Sequence, residues 1–174
     1  MAVYAFSNTY VHLDGPFVNV ALGAGAGDAE GGITVTMTED KNTMTIGADG
    51  EAMHSLHSGK SGTVTVRLLK TSPTNAILSD VYARQTNQSG GRFHGQNVIL
   101  IKDTMRGDTI TCLEVAFSRM SEITYAKEGG EVTWVFHCAK IDFILGRGWN
   151  DPLAFHESPP VGGQSVGSVS GWVG

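Results

Sequence analysis

From Gly62 to Lys70 the chain reads Gly-Thr-Val-Thr-Val-Arg-Leu-Leu-Lys, with apolar side chains at every second position over most of its length. A period of two has one common solution, a strand with one face buried and the other wet. The same alternation runs through Ile33–Thr38 and Thr43–Ile46, and the polar Glu39-Asp40-Lys41-Asn42 between them predicts a turn that joins the two as a hairpin. Segments rich in Val, Ile, Thr and aromatics predict further strands over 97–102, 108–117 and 131–143, with a short one over 123–126. One helix is predicted over 73–88. Ser72 stands as its cap, Pro73 sits in the first turn where its missing N–H costs nothing, and Ala76, Ile77, Val81 and Gln85 follow at helical spacing. Strands, one helix, then strands again is not the rhythm of a βαβ array. It predicts a mainly β fold, a barrel or sandwich with one flanking helix.

The 174 residues suit one domain. Composition changes near Gly148, so we read residues 1–148 as a β-barrel domain and the Gly/Ser/Pro-rich 149–174 as a flexible extension that buries little. Glycine makes up 23 residues, about twice the usual share, so the backbone turns often. No apolar run is long enough for a membrane-spanning helix, and the N-terminus lacks the basic and apolar regions of a signal peptide. The expected compartment is the cytosol. Cys112 and Cys138 cannot supply a secreted-type framework. Lying at equal distance from Tyr125, they would oppose one another across a hairpin centred there, and in a reducing cytosol the expected state is two buried free thiols.

The net charge of −5 is confined to the first third: residues 1–66 hold seven acids against Lys41 and Lys60, whereas residues 67–174 balance ten against ten. A surface that grips nucleic acid needs clustered Lys and Arg. This segment would repel a phosphate backbone.

Motifs that suggest chemistry fail on context. Gly59-Lys60-Ser61 lacks the upstream glycine of a phosphate-binding loop and precedes a strand instead of a helix. Gly163–Gly167 spells a nucleophile elbow, but the Ser…acid…His order is not completed after it. Gly23–Gly27 has no strand–helix frame for a dinucleotide. His54 and His57 lie three apart without the further ligands of a zinc site, and no carboxylate pair suggests acid–base work. We therefore expect no enzyme, metal or cofactor.

One stretch carries a resemblance. Glu39–Gly50, Met53-His-Ser-Leu-His57 and Gly59–Pro73, with Val115-Ala-Phe117, Ile123–Lys127, Trp134 and Ile144-Leu-Gly146, strongly resemble tail tube proteins of bacteriophages with contractile tails. The likeness spans roughly residues 1–148. It implies a β-barrel or sandwich with a flanking helix, assembled as hexameric rings that stack into a virion tail tube with a continuous inner β-wall. The implied partners are the chain itself, the tail sheath protein, the tape-measure protein, the baseplate and terminator proteins, and DNA in transit during ejection, with no membrane binding. Particles of this kind are assembled in the host cytoplasm. A tube subunit of a phage-like machine, a tailocin or type VI secretion system, shares the architecture. A carbohydrate-binding β-sandwich would share the strand content, but Trp134, Trp149 and Trp172 form no visible platform.

Within that reading two sets of residues stand out. Gly47–Gly62 is too long for a tight connection, and loops of that length are usually functional. Met53 and Leu56 at its centre would be wet in a lone subunit, so we read it as the loop between rings, with Asp49, Glu51, His54, His57 and Lys60 at the rim of the contact. Asp14, Asp28, Glu30, Glu39 and Asp40 are the candidate acids of the channel wall. DNA, with one charge per ~1.7 Å, would stick to a neutral or basic conduit.

Overall fold

The computed structural model describes residues 5–23, 28–87 and 91–146, with backbone alone for 28–31. The expected domain end at 148 and the extension 149–174 lie outside the described residues.

Among the described residues there are nine strands, β1 (Thr9–Gly15), β2 (Val18–Ala21), β3 (Asp28–Met37), β4 (Asn42–Ile46), β5 (Ala52–Leu56), β6 (Gly62–Leu69), β7 (Asn97–Asp103), β8 (Thr109–Phe117) and β9 (Glu131–Ile144), with helix α1 (Thr74–Asn87) between β6 and β7. Seven of them form one curled antiparallel sheet, a half-barrel in the order β2-β1-β7-β8-β9-β6-β3, while β4 and β5 form a separate two-stranded ribbon. The mainly β reading with one helix holds. The hairpin predicted between 33–38 and 43–46 does not: β3 pairs with β6, and β4 pairs with β5. Residues 123–126, expected as a strand, have no regular structure.

Burial explains the pairing. In β6, Val64, Val66 and Leu68 are buried while Thr63, Thr65 and Arg67 face the other side, and Ile33, Val35 and Met37 of β3 continue the same core. One sheet face is covered by α1. Thr74, Leu78, Val81 and Gln85 are its buried positions, so Leu78 takes the place we had given to Ala76 and Ile77, both of which are exposed. The Thr74 amide donates to Ser72 Oγ at 3.3 Å, which caps the helix as expected. Tyr82 meets Phe117 edge-on at 5.7 Å, Phe117 packs on Trp134 and Phe136, and Trp134 Nε1 donates to Asn75 Oδ1 at 3.0 Å. Buried Gln85 exchanges hydrogen bonds with Asn97 and donates to the Pro16 carbonyl, while Asn97 also donates to the carbonyl of Val115. That network pins the helix to the turn between β1 and β2. Gly15 makes room for it, since a Cβ there would fall on the Asn97 carboxamide.

Strands β8 and β9 share one irregularity. The buried side chains run Cys112, Val115, Phe117 in β8 and Phe136, Cys138, Ile141 in β9, so the alternation slips by one residue in both. Their mutual register is kept, with Leu113 opposite Lys140 and Val115 opposite Cys138. Glu114 absorbs the slip with a left-handed φ of 53° and forms an ion pair with Lys140 at 3.2 Å outside the core. Cys112 thus lies opposite Ile141 and not opposite Cys138, which corrects the pairing read from their spacing. Both cysteines are buried free thiols. Cys112 is hydrogen-bonded to Cys138, and that bond together with burial holds its thiol well above the ordinary cysteine range.

Candidate functional site

The ribbon β4–β5 stands apart from the core. Every residue of its two strands is exposed except Ser55, which is partly covered. Gly47–Glu51 closes its tip: the Gly47 amide donates to the Glu51 carbonyl at 2.8 Å, and Gly50 takes a φ of 85° that only glycine adopts without strain. Asp49 Oδ1 accepts from the Glu51 amide at 3.2 Å. The expected long loop 47–62 is therefore half of a ribbon, with β5 inside it, because Ala52–Leu56 finds a partner in the strand just before the tip.

The register decides which side chains act together. Asn42 lies opposite Leu56, Met44 opposite His54 and Ile46 opposite Ala52, so these six share one face. Thr43, Thr45, Met53 and Ser55 share the other. Met53 and Leu56, which the sequence suggested would be buried together, point to opposite faces. Met44 and Ile46 are the residues that sequence reasoning missed. Their signal was present in Thr-Met-Thr-Ile, but it was read only as the second strand of a hairpin with Ile33–Thr38. Met44, Ile46 and Leu56 are 55%, 61% and 82% exposed. Burying a side chain of this size is worth about 1.5–3 kcal/mol, and a bare two-stranded ribbon is marginal in water. An apolar face on such a ribbon asks for a partner.

The histidines stiffen the ribbon. The Asn42 carboxamide and His54 Nδ1 are hydrogen-bonded on the apolar face, and Thr43 Oγ1 and His57 Nε2 are hydrogen-bonded at 3.1 Å on the other. The root is stitched to the sheet. The Thr38 amide donates to the Ser61 carbonyl, the Ile141 amide to the Lys60 carbonyl at 2.8 Å, and Lys60 Nζ forms an ion pair with Asp142 at 2.7 Å. Glu39 closes over Gly59, where a Cβ would strike its carboxylate. Of the residues expected in this contact, Asp49 and Glu51 lie at the tip, Met53, His54 and Leu56 on β5, and His57 and Lys60 at the root.

The candidate channel acids are not gathered in one place. Asp14 is exposed on the sheet face that α1 leaves open, since Leu13 beside it faces the core. Glu39 and Asp40 stand at the ribbon root, and Asp28 and Glu30 lie in β3, where the backbone alone is described. The open face is richer in hydroxyls: Thr34, Thr65 and Val135 make one cross-strand row and Thr36, Thr63 and His137 the next, with Arg67 donating to Thr34 Oγ1 at 3.2 Å.

A second exposed apolar group lies at the other end of the sheet. The Lys70 ammonium sits 3.8 Å over the Tyr125 ring and donates to the Thr124 carbonyl, which holds residues 118–130 against the end of β6. Leu69, Ile123 and Tyr125 are exposed there, Tyr125 by 85%. Beside them is a cleft of about 330 Å³ bordered by Arg119, Ser121 and Glu131. Among the described residues, no group of three or more His, Cys, Asp or Glu could hold a metal ion.

Residues 1–146 match the family model described as bacteriophage PhiTE tail tube protein. No curated protein matches the chain. Among solved structures, the chain is similar to a sheath/tube terminator of the PVC extracellular contractile injection system in its extended state, at 10% identity and a TM-score of 0.51 over 82% of this chain and 97% of that one. It is also similar to the tube-terminating cap of the anti-feeding prophage, at 9% identity and a TM-score of 0.49 over 84% of this chain and 95% of that one. The corresponding values for a chain of the anti-feeding prophage baseplate are 14% and 0.49, over 83% and 97%. At this identity the first likeness is one of fold.

Proposed function

The chain belongs to the bacteriophage tail tube family, and on that premise we propose that it forms hexameric rings, stacked through the β4–β5 ribbon into the tube of a contractile tail. The observation that carries the stacking is the ribbon itself, an apolar face of Met44, Ile46 and Leu56 held away from the subunit's own core. Ring closure draws on the sheet edges. Among the described residues β2 and β3 have a neighbour on one side only, and an open edge with unpaired N–H and C=O groups is a template for another chain. Joining the edges of adjacent copies gives a continuous β-wall. A sheath would surround that wall, baseplate and terminator proteins would bound it, and its channel would house a tape-measure protein and later pass DNA. The acids of the first third keep the wall from holding phosphate, and Asp14, on the open face, is the described acid best placed to do so. The same subunit would serve a phage-like contractile machine, and the fold shared with the injection-system chain fits that reading equally.

Negative-stain imaging of the purified chain tests the proposal directly. Rings and tubes are expected, whereas a monodisperse monomer at several hundred micromolar would overturn it.

A further inference from the structure

We propose that the end of the sheet opposite the ribbon, the patch of Leu69, Ile123 and Tyr125 beside the Arg119–Glu131 cleft, is the seat that receives the ribbon of a second copy of this chain. The inference rests on the reading of the ribbon as a stacking element and goes further by naming the surface it meets.

The argument begins with where the two patches lie. Strand β9 runs from Glu131, beside the cleft, to Ile144, near the ribbon root, and the Ile141 amide is bonded to the Lys60 carbonyl there. From Glu131 to Ile141 is ten residue steps, on the order of 30 Å. No copy can seat its own ribbon. A neighbour displaced along the strands by one subunit length brings the ribbon of one to the seat of the next, and leaves the pair with one free ribbon and one free seat for further neighbours. Such a heterologous contact propagates.

A rival patch exists. Tyr10, Met105, Phe143 and Leu145 are also exposed, but they lie at the ribbon's own end, where the 104–107 turn and the last residues of β9 meet. A ribbon could reach them in a lateral neighbour of the same ring, which adds no layer, or in an inverted neighbour, where a two-fold contact closes on itself after two copies. A tube subunit needs the other arrangement.

The seat is also built to stay in place without regular structure. Lys70 holds the Thr124 carbonyl and the Tyr125 ring, and the Lys70 amide donates to the Gly130 carbonyl at 3.1 Å. The segment 118–130 is thereby tied to the end of β6, with Met120 packed against the core and Ile123 and Tyr125 outward. Leu69 lies opposite Glu131 in the sheet, which places it at the lip of the cleft. Apolar core with charged rim is the pattern of a protein–protein contact.

Two double variants test the pair of surfaces in the full chain: Met44→Asp with Ile46→Asp on the ribbon, and Ile123→Asp with Tyr125→Asp on the seat. Each is expected to keep the native circular dichroism spectrum and to form rings that do not stack. Rings purified from the two variants and then mixed should give two-layer particles and nothing longer, because one intact ribbon meets one intact seat. Full-length tubes from the seat variant, with none from the ribbon variant, would overturn the seat and leave ribbon stacking intact. Tubes from both would overturn ribbon stacking itself. As a check that needs no loss of function, Leu56→Cys and Tyr125→Cys in one chain should be joined between copies by a short bismaleimide. Tubes that form without that cross-link would also count against the seat.

Discussion

At Gln85 and Asn97 two buried carboxamides exchange hydrogen bonds and draw in the carbonyls of Pro16 and Val115. Removing one partner leaves the others unpaired in the core, which costs about 1–3 kcal/mol. Gln85→Ala is therefore expected to lower the urea midpoint by a corresponding amount with little change in slope, and an unchanged midpoint would show that the network is redundant. The sequence placed Gln85 on the helix's buried side through its spacing from Val81. Its partner was not legible, because Asn97 belongs to a strand a dozen positions on and only the fold brings them together. The cysteines were half legible. Burial and the free-thiol state were expected, but the symmetric spacing about Tyr125 misled, since residues 118–130 form no simple hairpin and the register sets Cys112 against Ile141. Native protein should resist alkylation at both thiols, and denaturation should expose two. Rapid labelling of the native chain would contradict their burial.

At the scale of elements, the helix and six of the strands were readable from period and capping, whereas β1, β2 and β5 were not. Residues Ile33–Thr38 and Thr43–Ile46 carry the same alternation, and adjacency made a hairpin of them. The difference lies in what each apolar stripe touches: Ile33, Val35 and Met37 reach the core shared with Val64 and Val66, whereas Met44 and Ile46 reach solvent. Local pattern reports that a strand has two unlike faces, not which of several strands finds the core. Because the ribbon buries so little, replacing residues 42–56 by a short Gly-Ser turn should leave the thermal midpoint and the fluorescence of buried Trp134 nearly unchanged. A fall of more than a few degrees would mean that the ribbon supports the sheet.

For the whole molecule, the expected barrel is, among the described residues, a half-barrel, curled but open at β2 and β3. A single subunit's sequence contains the strands of a closed wall without saying how many chains close it. Charge was legible as a total and not as a location: the excess acids of residues 1–66 were evident, but of those described Asp14 alone sits on the open sheet face, with Glu39 and Asp40 at the ribbon root. Asp14→Lys should leave assembly intact and make tubes retain DNA at low ionic strength, with retention falling steeply as salt rises. DNA retention equal to that of the unaltered tube would place Asp14 away from the channel.

The ribbon leaves the subunit at one end only. On the proposed stacking, a filament of such subunits would have polarity, with a crown of greasy prongs at one terminus and a set of vacant sockets at the other. The two termini could not then be stoppered by the same protein. The pronged terminus, left bare, would be the adhesive one, so whatever starts or stops growth there must offer sockets of its own, and addition at the two termini would proceed at different rates.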